Sequence, residues 1–191
     1  MVELLEFDEP THTYTFKGKR VPSVTQILGT LHNFDGVPEG ILVAAQERGT
    51  AVHLACEFDD HGDLDESSVD DKIVGYLAAW RKFRTEMRPS WLQIEARCFH
   101  PALHYAGTVD RVCLIDGVEW VIDIKTSIAS HAIWGLQTAA YAQALNMANA
   151  KRGTVQLRND GTYRLIEWAK KSDWATFVSL LTITNFLENN K

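Results

Sequence analysis

The residues whose types and spacing could do chemistry cluster between Gly107 and Ser127, in the stretch GTVDRVCLIDGVEWVIDIKTS. Two apolar, β-branched runs flank Asp116-Gly117, a dipeptide suited to a two-residue hairpin turn because both central positions take positive φ. If Ile115 pairs with Val118, the register carries Asp110 directly opposite Asp123. A strand period of two then puts Thr108, Asp110, Val112, Asp123 and Lys125 on one face. Val109, Cys113, Ile115, Trp120, Ile122 and Ile124 fall on the other, which reads as core. Carboxylates facing each other across a strand pair lie ~4.5–5.5 Å apart between Cβ atoms and repel unless something positive sits between them. A divalent cation meets that need. Lys125 also meets it, more weakly, as a surface ion pair.

Taken alone, Asp123-Ile124-Lys125 is a triplet with many chance occurrences, so its meaning depends on its surroundings. Upstream, Glu39 to about Asp60 has helical periodicity, with Gly49, His53 and Glu57 at successive i, i+4 positions on one face. A glycine one turn before His53 costs helix stability but lets a backbone or a phosphate come close. His53 on its own reads as a half-buried, satisfied histidine, and Glu57 either as an acid reached through water or as a solvated helix end. Downstream, Gln137 and Tyr141 are one turn apart and project together, as a surface amide and an anchoring ring or as a functional pair. Ser23 caps a short helix, SVTQIL, whose start with Ser23 and Thr25 serves as a plain cap or as an anion pocket. Glu95 shares a strand face with Arg97, as a further acidic member of the site or as a structural bridge.

As an ordered set, Pro22-Ser23-Val24-Thr25, RGTAVH, GTVDRV, VIDIKTS and LQTAAY resemble the RecB-type branch of the PD-(D/E)XK nuclease superfamily over about residues 12 to 145. Within it, the likeness is to the mitochondrial genome maintenance and phage recombination exonucleases. The resemblance implies a restriction-endonuclease-like core and a DNA exonuclease dependent on Mg²⁺ or Mn²⁺, acting in recombination, repair or replication, in a phage-infected host among other settings. It assigns catalysis to Asp110, Asp123, Lys125, Gln137 and Tyr141. The metal ligands would be His53, Asp110, Asp123 and the main-chain oxygen of Ile124, with Glu57 and Glu95 as additional acids. DNA or its phosphates would meet Ser23, Thr25, Arg48, Thr126, Gln137 and Tyr141. These ligands are mostly hard oxygen donors with one nitrogen, which suits Mg²⁺ or Mn²⁺ better than zinc. Some relatives carry a four-cysteine iron–sulfur staple, and the three cysteines here cannot supply one. Two other readings stay open: a structure-specific or flap endonuclease, and a catalytically silent module that binds DNA ends. The expected partners are DNA, as a single strand or a duplex end, and a recombination or single-strand-binding protein. Strand polarity, strandedness and monomer versus ring remain open.

The elements that must position these residues follow from pattern. With 191 residues, 46% hydrophobic and 23% charged, the chain reads as one globular domain. Residues 12–35 would form an N-terminal hairpin and phosphate-binding turn, and residues 92–168 a catalytic sheet core. No apolar run approaches the ~20 residues of a membrane span, and the start lacks a basic and then apolar leader, so a cytoplasmic protein with no membrane partner is expected. Cys56, Cys98 and Cys113 are odd in number and sit in apolar segments, which suits reduced core thiols. A formal charge of −6 argues against a general nucleic-acid binder and asks for a local basic patch. Lys17, Lys19 and Arg20 are candidates, as are Arg81, Lys82, Arg84 and Arg88, and each group is equally an ordinary solvated face.

Residues 12–22 read as a hairpin turning at Lys17-Gly18, and 62–68 as a loop. Val69 to Met87 reads as an amphipathic helix with Ile73, Tyr76, Leu77, Trp80 and Phe83 inward, closed by Pro89. Residues 91–99 begin the sheet. Trp134 to Met147 reads as a helix, with Trp134 a candidate stacking platform for single-stranded DNA. A second hairpin, 153–158 and 162–168, is split by Asn159-Asp160-Gly161, and Asp173 to Glu188 closes the chain as a helix. Helix, three strands, helix and two strands make an α/β fold with a central mixed sheet flanked by helices.

Overall fold

In the computed structural model, which describes residues 4–9, 11–31 and 38–190, turn chemistry and alternation build two sheets. Strands β1 (Leu5–Asp8), β2 (Thr13–Phe16) and β3 (Lys19–Val21) precede helices α1 (Val24–Gly29), α2 (Glu39–His61) and α3 (Val74–Met87). Then come β4 (Ser90–His100), β5 (Tyr105–Ile115), β6 (Val118–Lys125), α4 (Ile133–Ala144), β7 (Lys151–Leu157), β8 (Tyr163–Glu167) and α5 (Ser172–Asn189). The main sheet runs β4-β5-β6-β7-β8, and all its pairs are antiparallel except β6 and β7. That one parallel pair requires a crossover, and α4 supplies it. The fold is therefore α/β, with a mixed five-stranded sheet flanked by helices.

Lys17 and Gly18, at φ 52 and 72, turn β2 into β3, and Asp116 and Gly117, at φ 50 and 76, turn β5 into β6. Both hairpins have the expected register, the second running from Ile115↔Val118 to Arg111↔Ile122. The sequence reading has no counterpart for β1, which pairs Leu5↔Phe16 through Asp8↔Thr13 and makes the small sheet three-stranded. Four residues of LEFD carry too little periodicity to announce a strand. Residues 32–35 of the expected N-terminal unit lie outside the described residues.

Both faces of the main sheet are covered. Val24, Ile27, Tyr105, Val112, Val121, Ala140 and Phe177 bury one face under α1, α4 and α5. Val52, Cys56, Trp80, Phe83, Cys113, Ile122 and Ile124 bury the other under α2 and α3. Strict alternation places Val109 with Cys113, and here the structure corrects it, because Val109 packs with Val112. The cause lies on the neighbouring strand. Glu95, between the pairs Ile94↔Arg111 and Ala96↔Val109, takes φ 47, and a left-handed residue in mid-strand interrupts the pleat that alternation assumes.

Two helix limits also move. α3 begins at Val74, not Val69, because the Asp70 side chain accepts from Lys72 N–H (2.8 Å) and its carbonyl from Ile73 N–H (2.9 Å), holding that stretch in a turn. α4 stops at Ala144, where Asn146 turns left-handed (φ 58) and Met147 N–H reaches back to Ala142 O (2.8 Å). Trp134 is buried and edge-on to Trp168 and His131, so it is a core anchor and not a platform for bases. All three cysteines are free and buried. Among the described residues, no helix is long and apolar enough to cross a membrane.

The start of α3 presses on the β7–β8 turn. A Cβ on Gly75 would come within 1.7 Å of the Asn159 carbonyl oxygen, so Gly75→Ala should lower stability by about 1–3 kcal/mol through overpacking. In urea the midpoint should drop with the slope unchanged. An unaltered midpoint would contradict the contact.

Candidate active site

The β5–β6 ladder ends at Arg111↔Ile122, and the next step of the same register brings Asp110 and Asp123 together. There the Asp110 carboxylate replaces a strand partner and accepts the Ile124 N–H at 2.5 Å. From α2, His53 Nε2 donates to the Ile124 carbonyl at 3.0 Å, and its Nδ1 lies 3.4 Å from Asp110 Oδ1. The Ile124 backbone is thus held from two sides, which sets the direction in which Asp123 and Lys125 leave β6. Lys125 Nζ lies 2.6 Å from Asp123 Oδ2, an oxygen that otherwise has no aligned hydrogen-bond partner. His53, Glu95 and Asp110 each offer a ligand atom, all within 4.8 Å of one another.

These groups open on a cleft of about 570 Å³. Gly49, His53 and Glu57 form the α2 wall, Gln137 and Tyr141 the α4 wall, and Ser23 and Thr25 line it from the start of α1. The fourth wall is the small sheet, with Phe7, His12 and Tyr14. Ser23 is a true cap: its Oγ accepts from Gln26 N–H and the Gln26 amide oxygen accepts in return from Ser23 N–H, each at 3.0 Å. Of the two hydroxyl residues, Thr25 is the exposed one. The Gln137 amide donates to Tyr141 Oη at 3.1 Å, so the two side chains brace each other.

Two expected DNA contacts do not line the cleft. Arg48 is on the side of α2 that faces α3, with its guanidinium 5.9 Å from the Tyr76 ring, because its helix position is half a turn away from the cleft face. Thr126 sits beside Gly49 and is not among the residues lining the cleft. The basic candidates Arg81 and Arg84 are consumed by Asp59, Asp60 and Glu66, and Lys82 faces Glu86, which leaves Arg88 exposed at the end of α3 as the one cation of that group without an acidic partner among the described residues. Lys17, Lys19 and Arg20 remain exposed on the small sheet.

The sequence reading missed the group that supports Glu95. Arg111, with no exposed side-chain surface, donates from Nε to Asp60 (2.7 Å) and from Nη1 to Glu95 (2.9 Å) and to the Asp110 carbonyl (2.6 Å). Its guanidinium lies 5.5 and 6.0 Å from the stacked rings of Trp80 and Trp91. The only signal in the sequence was a charge standing in an otherwise apolar run beside Asp110. Its partner, Asp60, is about fifty positions earlier and carries no mark.

The electrostatics follow from burial and crowding. Burial alone would raise Asp110, but the His53 charge and hydrogen bond, Lys125 and the Ile124 N–H hold it down to about 2. Burial, opposed by Lys125 and aided by Asp110, pushes Asp123 up to about 6. Burial and then Asp110 push Glu95 up to about 8 despite Arg111. Against burial, Asp110 lifts His53 to about 9, so its imidazolium donates from both nitrogens.

No family model and no curated protein matches this chain. Among solved structures, the protein described as SSO0001 is similar, with a TM-score of 0.42 and 18% identity over 86% of this chain and 84% of that one.

Two outcomes are expected of the metal-free protein. Glu95, Asp123 and His53 bind protons more tightly folded than unfolded, so stability falls as pH rises from about 4 to about 9. Asp110 acts oppositely, but only below its ordinary value of 3.8. Melting temperatures in EDTA should decline across that window, and Glu95→Gln should flatten the decline; a level profile for the native protein would contradict the cluster. Arg111→Met takes the nearer of two cations from the buried Asp60 carboxylate, leaving it Arg84 alone, and removes the cation of half-buried Glu95, and should cost about 3 kcal/mol by urea unfolding, the low end for breaking a buried pair. A loss under about 1 kcal/mol would show that the network does not depend on it.

Proposed function

We propose that the chain is a divalent-metal-dependent DNA exonuclease that hydrolyses phosphodiester bonds from DNA ends. The observation that carries this reading is the convergence of His53, Glu95 and Asp110 ligand atoms within 4.8 Å, on a cleft shared with Asp123 and Lys125. The donor set fits Mg²⁺ or Mn²⁺: carboxylates, a carbonyl and one imidazole, with an Asp123 oxygen lacking an aligned partner and no thiolate in the cleft. His53, Asp110, Asp123 and the Ile124 carbonyl would hold the ion, with Glu95 beside them. When bound, the ion supplies Lewis acidity toward a phosphoryl oxygen and a lowered pKa for water.

The chain's own residues do the rest. Lys125, held at Asp123, orients and deprotonates the attacking water or balances charge building on phosphorus. His53 must give up its Nδ1 proton before it can act as a ligand, while its Nε2–H can stay on the Ile124 carbonyl and fix the tautomer, so metal loading is coupled to pH. Gln137 and Tyr141 bind the strand on the opposite wall, and Thr25 offers a hydroxyl to a phosphate. Carboxylates committed to a cation count toward the −6 formal charge without repelling DNA once neutralised.

End-labelled linear DNA and a closed circle, each with Mg²⁺, Mn²⁺ or EDTA, test the proposal. Metal-dependent release of nucleotides from the linear substrate alone is expected, and Asp123→Asn or Lys125→Ala should reduce the rate on the order of 10²-fold or more. Cutting of the circle would indicate an endonuclease, and metal-independent end binding without hydrolysis would indicate a silent module. Normal activity in either purified variant refutes the assigned roles.

A further inference from the structure

One wall of the cleft has no part in the chemistry just described. The small sheet turns Phe7 and His12 toward the same cleft as Asp110, Asp123 and Lys125, with Tyr14 behind them. Phe7 is half-buried, packed on one side against the sheet's core of Leu5, Tyr14, Val21, Phe99 and Ala106, and His12 is exposed. The Phe7 ring lies 4.5 Å from that of Tyr14 and is tilted by 32°, and the His12 ring meets Phe7 edge-on at 5.1 Å. His12 is held at φ 49 in a turn closed by its N–H on the Glu9 carbonyl (3.1 Å).

The wall is fastened to the strand that carries Asp110. Tyr14 Oη is 2.7 Å from Thr108 Oγ1, two residues along β5, and Ala106 N–H donates to the Pro22 carbonyl at 3.0 Å. The aromatic surface therefore keeps a set position relative to the carboxylates. The exposed Arg97 guanidinium lies over the Phe7 ring, 5.4 Å from its centroid, with no acidic partner among the described residues. Glu9 and Glu57 line the cleft as well and disfavour a phosphate near them, which leaves the Arg97 side for a backbone.

A fixed π face, an edge-on imidazole and a neighbouring cation are the parts that stack a base and pair its phosphate. We infer that Phe7 and His12, with Arg97, form a nucleobase-stacking subsite that takes an unpaired base of the strand entering the cleft. A base inside a duplex has both faces occupied by its neighbours, so the subsite selects frayed or single-stranded ends. This rests on the nuclease reading for the identity of the ligand, and its test separates the two.

Fluorescein-labelled single-stranded oligonucleotides, with ordinary bases or with abasic sugars at the terminal positions, are titrated in EDTA into the full chain. Loss of the bases should weaken binding on the order of tenfold. Phe7→Leu, which keeps apolar bulk without a π face, should bind ordinary DNA as weakly as abasic DNA, and Phe7→Trp should restore the difference. In Mg²⁺, Phe7→Leu should raise KM and leave kcat little changed, and Phe7→Trp should return KM toward the native value. Equal binding of both oligonucleotides by the native protein, or undiminished discrimination in Phe7→Leu, overturns the subsite. Discrimination in EDTA without hydrolysis in any metal keeps the subsite and removes the nuclease reading.

Discussion

Two carboxylates taken out of water side by side repel, and the β5–β6 hairpin forces Asp110 and Asp123 into that position. With side-chain exposures of 9% and 2%, neither can relieve the strain by turning to solvent. The surrounding structure answers it in pieces. His53 brings a proton from α2, Lys125 an ammonium from β6, and Ile124 an N–H. These aids divide unevenly, so Asp110 is held down to about 2 while Asp123 is pushed up to about 6. A site in which neighbouring carboxylates are driven apart in this way, at the base of a cleft, is one that a divalent ion would stabilise.

The same constraint explains an otherwise costly feature. A fully buried Arg111 with a fully buried Asp60 contributes little net stability, since both lose hydration. What the pair contributes is position. Arg111 connects the end of α2 to the Asp110 backbone and to Glu95, and Trp80 and Trp91 limit its movement. From Asp60 the chain of charges continues through Arg84, Asp59 and Arg81 to Glu66 at the surface. The arginines near α3 that resemble a basic patch in sequence are the outer part of this support. Arg81 and Arg84 therefore give no free basic patch on that side.

The cleft is composite. Its acidic floor belongs to the main sheet, its helical walls to α2 and α4, and its aromatic wall to the small sheet, tied across by Tyr14 and Thr108. Gly107 shows how closely these parts meet, since a Cβ there would lie 2.7 Å from the Tyr141 ring. A methyl group on β5 would displace the α4 wall.

Local chemistry determined a good deal. Asp116-Gly117 admits one turn, the turn admits one register, and the register brings Asp110 to Asp123; the Ser23 cap and the face shared by Gly49, His53 and Glu57 are equally local, because each depends on residues a few positions apart. What only the tertiary structure decided depends on distant partners. Asp60 is an ordinary acid at a helix end until β5 places Arg111 against it, and Arg48 is a plausible DNA contact until α3 packs Tyr76 beneath it. Glu95 lies near Asp110 only through a left-handed residue that its strand sequence does not announce. Phe7 and His12 belong to the cleft only because β1, too short for periodicity to reveal, pairs with β2 and is carried against β5. Turns and caps are short-range energies written in adjacent residues, whereas burial and charge pairing are sums over neighbours that only the folded chain brings together.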